Sequence, residues 1–147
     1  MTQLLDARTS TNIPRGTLLF PGDTFLFENP TLVGQIGLNV PPNTEGTIRT
    51  KLEGQVGVYI VEENVFSPVM QITIVRGDQP TDPVVSTSFV QFLPAETGPK
   101  SIAIEAADFN VPAPQSGVLV YTMFATSQSE DIGRPGPECL TGVVVTD

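Results

Sequence analysis

Short segments in which apolar and polar residues alternate recur along most of this chain. In VMQITIVRG, Met70, Ile72 and Ile74 share one face of an extended strand, and Gln71 and Thr73 share the other. Turn-forming Gly, Pro and Asn residues bound similar segments at 17–20, 24–27, 32–40, 47–53, 55–62, 84–93, 101–106, 118–127 and 142–146. Gly54 is expected to mark a tight hairpin or a bulge, and only residues 103–109 resemble a helical turn. The pattern predicts about eight to ten antiparallel strands.

Strands this short and this regularly spaced are typical of a β-sandwich or barrel, because each strand has one face to bury. We predict an all-β jelly-roll sandwich with two four-stranded sheets. An immunoglobulin-like sandwich is the alternative, and the absence of Trp and of paired cysteines weakens it.

The segment GVLVYTMFATS is apolar on both faces, whereas an ordinary sandwich strand has one wet side. Val118, Val120 and Phe124 lie on one face, and Leu119, Tyr121 and Met123 lie on the other. One interpretation is a central strand that a long loop covers. The other is a sheet that packs against neighbouring subunits, and it makes Leu119, Tyr121 and Met123 the expected lateral contacts.

The first sixteen residues, MTQLLDARTSTNIPRG, show neither a strand nor a helix period. They are either a frayed terminus or an extended arm that docks in a neighbouring subunit. Fully extended, such an arm reaches about 50 Å, whereas a domain of this size is roughly 36 Å across. We therefore divide the chain into a connector arm at 1–16, with Leu4, Leu5 and Ile13 as its anchors, and a jelly roll at 17–147.

The charge balance limits the partners of the chain. Seven basic and sixteen acidic residues give a net charge of −9, and the basic residues are scattered singly, which argues against nucleic acid and anionic membranes. The sequence contains neither a bilayer-spanning apolar run nor a secretory leader pattern. Cys139 is the single cysteine, so it is either a lone buried thiol or a disulfide link between subunits.

The sequence offers little catalytic chemistry. There is no His, which removes the usual general base and most zinc sites, and no phosphate-binding or nucleophile-elbow motif is present. Adjacent Glu62 and Glu63 would point to opposite faces of a strand, and Asp108 is expected to cap a turn with Phe109 tucked inward. We predict no catalytic or metal site, no cofactor and no enzymatic activity.

The segments VMQITIVRG, EAADFNVPAP, GVLVYTMFATS and IGRPGPECLTGVVV together resemble the small β proteins of endospore surfaces in spore-forming Firmicutes. Within that group the chain looks most like the subunits of thin endospore appendage fibres, which are similar in plan to trimeric tumour-necrosis-factor-like heads. The resemblance implies stacked trimers, each arm docked in the preceding trimer, with an anchor protein and a collagen-like tip protein as partners. It also implies assembly in the mother cell and a place on the spore surface or exosporium.

The chain departs from that family in one respect: its arm has no cysteine, although one appendage class uses cysteine pairs there. The expected function is a structural subunit that forms a fibre, with trimers stacking head to tail through the arm. The alternatives are a virion or phage-type structural jelly roll and a carbohydrate-binding β-sandwich. The absence of Trp and the placement of Tyr59 and Tyr121 in apolar strands weaken the last one.

Overall fold

In a computed structural model the chain forms two facing antiparallel β-sheets, and the structure describes residues 1–13, 28–61 and 67–147. Within these ranges there are nine strands, a number that falls within the predicted eight to ten, although the pattern did not predict the strands at 3–13 and 132–133. They are β1 (Gln3–Ile13), β2 (Thr31–Asn39), β3 (Ile48–Ile60), β4 (Val69–Arg76), β5 (Val84–Gln91), β6 (Gly98–Phe109), β7 (Val118–Ser127), β8 (Ile132–Gly133) and β9 (Glu138–Thr146). The strands predicted at 17–20 and 24–27 lie outside the described residues.

The order of the strands confirms the predicted jelly roll. One sheet, here called sheet A, has the order β1-β9-β3-β6, with the short β8 paired to β3. The other, sheet B, has the order β2-β7-β4-β5. With β8 set aside, the chain passes from one sheet to the other after each long strand except between β4 and β5, which form a hairpin in sheet B. This is the connection of a jelly roll.

Strand β3 runs without interruption through Gly54, so the hairpin or bulge expected there is wrong. Gly54 pairs with Ile104 on one side and with Leu140 on the other, in register. A Cβ at this position would lie 2.7 Å from Sδ of Met123 in the facing sheet. The glycine therefore makes room for a large core side chain and does not end the strand.

The core lies between the sheets and is built from the inward positions of the alternating strands. Met70, Ile72 and Ile74 of β4 are buried, as their shared face predicted. The segment that resembled a helical turn belongs to β6, which continues to Phe109. Each sheet therefore buries one face against the other, and β1, β6, β2 and β5 are the edges of the two sheets that the described residues form.

Candidate assembly surfaces

The predicted arm is the first strand of the jelly roll in this structure. Its strand β1 pairs antiparallel with β9 at the edge of sheet A, from Gln3 opposite Thr146 to Ile13 opposite Glu138. Residues 3–13 therefore belong to the sandwich, and the boundary expected at residue 16 does not separate an arm from it. The structure describes a single chain, so docking of these residues in a neighbouring subunit stays a prediction.

The three predicted anchors differ in burial. Leu5 packs against the hydrophobic core and Ile13 is partly buried, whereas Leu4 is 60% exposed. No residue of β1 is fully buried. The strand is therefore attached through its backbone ladder with β9 and contributes little apolar surface to the core.

Polar contacts fasten both ends of β1. Oδ2 of Asp6 accepts the backbone N–H of Asn39 in β2 at 2.7 Å, and this bond is the main cause that lowers the pKa of the Asp6 carboxyl. At the other end, Nδ2 of Asn12 donates to Oε2 of Glu138 at 2.5 Å. Between them the hydroxyls of Thr9 and Thr141 are 3.0 Å apart. β1 thus contacts both sheets of the sandwich.

Glu138, the partner of Asn12, belongs to a buried ion pair that the sequence analysis did not identify. Its side chain is fully buried and accepts two hydrogen bonds from Arg134, at 2.8 Å from Nε and 2.6 Å from Nη2. Nη2 of Arg134 also donates to the carbonyl oxygen of Leu32 in β2 at 3.1 Å. The pair therefore links β9 to the opposite sheet, and its spacing of four residues was the only signal for it in the sequence.

The residues expected to form lateral contacts face the interior of their own domain. Leu119, Tyr121 and Met123 are almost completely buried between the two sheets. The hydroxyl of Tyr121 donates to Oδ2 of Asp108 at 2.9 Å and lies 3.1 Å from Oγ1 of Thr50. These side chains belong to the inner face of β7, so the expected lateral interface is wrong for this face of the strand.

Asp108 and Phe109 also differ from expectation. Asp108 is a buried strand residue, and its two carboxylate oxygens accept hydrogen bonds from Nε and Nη2 of Arg76, at 2.8 and 3.0 Å. It therefore joins β6 to β4 across the sandwich and does not cap a turn. Phe109, expected to be inward, is 70% exposed, because successive residues of a strand point to opposite faces and Asp108 takes the inner one.

The outer face of β7 carries the other apolar set. Val118 is exposed, Val120 is partly buried and Phe124 is buried. Phe124 lies beside Pro30 and Pro80 at a small surface pocket of about 190 Å³. Pro30 and Pro80, which lie outside the strands, thus flank the outer face of this central strand. This arrangement favours the interpretation in which a loop covers the strand.

A concave surface lies on the outer face of sheet A, at the end where β1 begins. This groove, of about 700 Å³, is lined mainly by apolar groups, with Phe109, Val143 and Val145 among them. Leu4 stands opposite Val145 in the β1–β9 ladder. Arg49 and Lys51 line the groove as well, and each is paired with a carboxylate, of Asp147 and Glu53 respectively. The groove thus combines exposed apolar surface with charges that are already paired.

Cys139 is a partly buried free thiol on the outer face of sheet A. It stands directly opposite Thr11 of β1 and opposite Gln55 of β3. Its predicted role in a disulfide between subunits stays a prediction. Its position shows that a cysteine at residue 11 would face it across the ladder.

The described residues contain neither a cluster of metal ligands nor a membrane-spanning helix. In residues 1–13, 28–61 and 67–147, no three His, Cys, Asp or Glu side chains are grouped so as to hold a metal ion. The same ranges contain no helix that is long and apolar enough to cross a bilayer. The Glu62–Glu63 pair considered in the sequence lies outside the described residues.

No protein-family model matches the chain, and no curated protein matches it. Among solved structures, an arabinose-bound α-L-arabinofuranosidase is 10% identical, with 97% of this chain and 26% of that chain covered and a TM-score of 0.37. A carbohydrate-binding module of Cellvibrio mixtus lichenase 5A, in complex with cellotriose, is 11% identical, with coverage of 99% and 89% and a TM-score of 0.32.

A chain of the empty virus-like particle of cowpea mosaic virus is also 11% identical, with 100% of this chain and 80% of that chain covered and a TM-score of 0.33. The chain spans about a quarter of the length of the arabinofuranosidase and most of the other two. The assignment of the fold rests on the strand order of the chain itself.

Proposed function

We propose that this chain is a non-enzymatic structural subunit that assembles with copies of itself into a fibre by exchanging β1 between neighbours. The observation that carries the proposal is the attachment of β1. It is an edge strand, β9 is its only partner among the strands that the structure describes, and none of its residues is fully buried. The same ladder can therefore form with β9 of a neighbouring subunit.

Exchange of β1 would preserve the contacts that the strand makes. A neighbour offers the same Asn39 amide to Asp6 and the same Glu138 carboxylate to Asn12. The main cost of exchange is then the entropy of association. When each subunit gives its strand to the next and receives one from the previous, the contact is head to tail, and such contacts propagate as filaments when the rotation does not close.

The connection between β1 and β2 is long enough for exchange. Residues 14–30 separate Ile13 from Thr31, and a fully extended chain of seventeen residues spans at most about 61 Å. That reach exceeds the diameter of roughly 36 Å expected for a domain of this size. A short connection would instead keep β1 on its own sandwich.

The groove on sheet A supports a role in assembly. Phe109 is 70% exposed and Leu4 is 60% exposed, and both lie at the end of the sheet where β1 begins. Leu4 would travel with β1 to the neighbour, so subunit contact around the exchanged strand would cover apolar surface that one chain leaves in water.

The location and the partners follow from the resemblance to endospore appendage subunits. On that basis we propose a fibre on the spore surface or exosporium, built without classical secretion, with an anchor protein and a collagen-like tip protein as its partners. Trimers remain part of this proposal, with lateral contacts through residues other than Leu119, Tyr121 and Met123, which are in the core.

The test is to lock β1 onto its own sandwich. In Thr11→Cys, the new thiol faces Cys139 across the ladder, at a separation typical of disulfides. Oxidation of the dilute monomer would close the bond within one chain. The matched control, Thr11→Cys with Cys139→Ser, carries the same change in β1 and cannot form the bond.

Negative-stain electron microscopy and light scattering would then be used to compare the three proteins. We expect filaments from the wild type and from the control, and discrete particles from the locked protein until a reductant is added. Discrete particles from all three would contradict self-assembly. Filaments from the locked protein would show that the chain assembles without exchange of β1.

A further inference from the structure

Strand β5 differs from the other edges of the sandwich in its composition. Strand β1 carries Asp6 and Arg8, β2 contains two glycines and a bulge, and β6 carries Lys100 and Glu105. β5, with the sequence VVSTSFVQ, has no charge, proline or glycine, and its one register shift lies at its first residues, between Val84 and Ser86. Among the edges that the structure describes, it is the one without the residues that usually prevent edge-to-edge pairing.

The open side of β5 presents backbone groups and apolar side chains together. The N–H of Phe92 donates to the carbonyl of Pro68 at 2.9 Å, which sets the alternation of the β4–β5 ladder. It follows that Thr87, Phe89 and Gln91 direct their N–H and C=O groups away from β4. The side chain of Phe89 is 69% exposed, and Val84 and Leu93 at the two ends are also exposed.

We propose that β5 pairs antiparallel with β5 of a second copy of this chain, across a two-fold axis at Phe89. In this register Phe89 stands opposite Phe89 of the other copy, and Thr87 stands opposite Gln91. The three residues on each side supply six backbone hydrogen bonds, and the two copies of sheet B become one continuous eight-stranded sheet.

The side chains of this edge suit a second copy as the partner. In the proposed register an aromatic pair, Phe89 with Phe89, lies between two uncharged polar pairs of Thr87 with Gln91. The two-fold axis makes the contact isologous, so it closes as a dimer.

The distribution of charge determines where two copies can meet. Two copies that each carry a net charge of −9 repel one another, so contact costs least at an edge without charges, such as β5. The nearest carboxylates in the sequence are already engaged. Asp82 accepts the backbone N–H groups of Asp78 and Gln79, and Glu96 pairs with Lys100 at 2.6 Å.

Site-specific disulfide formation in the full chain tests this register. Phe89→Cys in a Cys139→Ser background places two thiols opposite each other across the two-fold axis. The matched control is Thr87→Cys in the same background. Its two thiols would lie four residues apart along the strands, about 14 Å, which is too far for a disulfide.

We expect mild oxidation to cross-link Phe89→Cys into dimers at least about tenfold faster than Thr87→Cys. Adding Thr87→Lys to Phe89→Cys should slow the cross-link about fivefold, since it sets charges on the edge. Adding Thr81→Lys in the exposed β4–β5 loop should leave the rate unchanged. Equal rates at positions 89 and 87, or no cross-link at 89, would overturn the proposal.

This inference is independent of the exchange of β1, since β5 lies in the other sheet. Loss of the cross-link at position 89 with intact filaments would overturn the β5 pairing alone. A cross-link at position 89 in a protein that forms no filaments would overturn the proposed fibre alone.

Discussion

Removal of the guanidinium of Arg134 should destabilise the domain strongly. In Arg134→Ala, the fully buried Glu138 loses both hydrogen bonds from Arg134 and, among the described residues, keeps the one from Asn12. The carbonyl of Leu32 also loses a donor. Breaking a buried ion pair by removing one partner costs about 3–5 kcal/mol, and the total stability of a domain is only about 5–15 kcal/mol.

Urea unfolding followed by circular dichroism, at concentrations where the protein is monomeric, measures this loss. Arg8→Ala is the matched control, because Arg8 pairs with Asp6 at 2.8 Å but is about half exposed, and such pairs are worth less than about 1 kcal/mol. The double variant Arg134→Met with Glu138→Leu should recover much of the loss, since it leaves no unpaired charge. A loss below about 1 kcal/mol in Arg134→Ala would refute the reasoning.

Three further predictions follow from the core and from β1. Gly57→Ala should destabilise the domain more than Gly54→Ala, because a Cβ at residue 57 would lie 2.1 Å from the backbone oxygen of Gly136, whereas a Cβ at residue 54 would meet the movable side chain of Met123. Thermal melting of the two variants gives the order, and the reverse order would contradict this account. Burial raises the pKa of the Tyr121 hydroxyl, so the contribution of this group to stability is complete below about pH 10 and is lost as the pH rises further. The melting temperature should therefore fall less between about pH 9 and 11 in Tyr121→Phe than in the wild type, and an equal fall would contradict this assignment. The hydrogen bond from the Asn39 amide is the main cause that lowers the pKa of Asp6, so the contribution of Asp6 to stability is present above about pH 4 and is lost on acidification. The Asn39 amide should exchange its hydrogen faster in Asp6→Asn than in the wild type, and unchanged protection would contradict the assigned contact.

The strands of the fold could be predicted well from the sequence because burial on one face imposes a period of two. The run from Val118 to Ser127 was predicted with its observed bounds, and Met70, Ile72 and Ile74 face the core as expected. The bulge or hairpin at Gly54 failed because the reason for the glycine lies in another strand, in the volume of Met123. The sequence around Gly54 does not indicate this contact, because Met123 belongs to a strand distant in sequence.

The assembly surfaces were harder to predict than the strands. When both faces of a strand are apolar, as in β7, alternation divides the residues into two sets but does not indicate which set faces the core. The inner set proved to be Leu119, Tyr121 and Met123, and the partners of the Tyr121 hydroxyl are Thr50 and Asp108, which are distant in sequence. β1 escaped recognition because an edge strand needs few apolar residues when its ladder supplies the attachment.

Because Tyr121 is buried in the core, its substitution cannot test a lateral interface between subunits. Tyr121→Glu would place a carboxylate in the core beside Asp108, so we expect loss of folded protein. A change in its oligomeric state would therefore say nothing about a lateral interface.

The exchange of β1 is the central claim, and the most direct measurement is to oxidise Thr11→Cys after it has assembled. Each new thiol stands opposite Cys139 in the β1–β9 ladder, so the disulfide records which chain supplies the strand. The account predicts a ladder of covalent multiples of 15.7 kDa on a non-reducing gel, which collapses to a single band on reduction. A single band of 15.7 kDa from filaments whose thiols are fully oxidised would show that β1 stays on its own sandwich and would contradict the account.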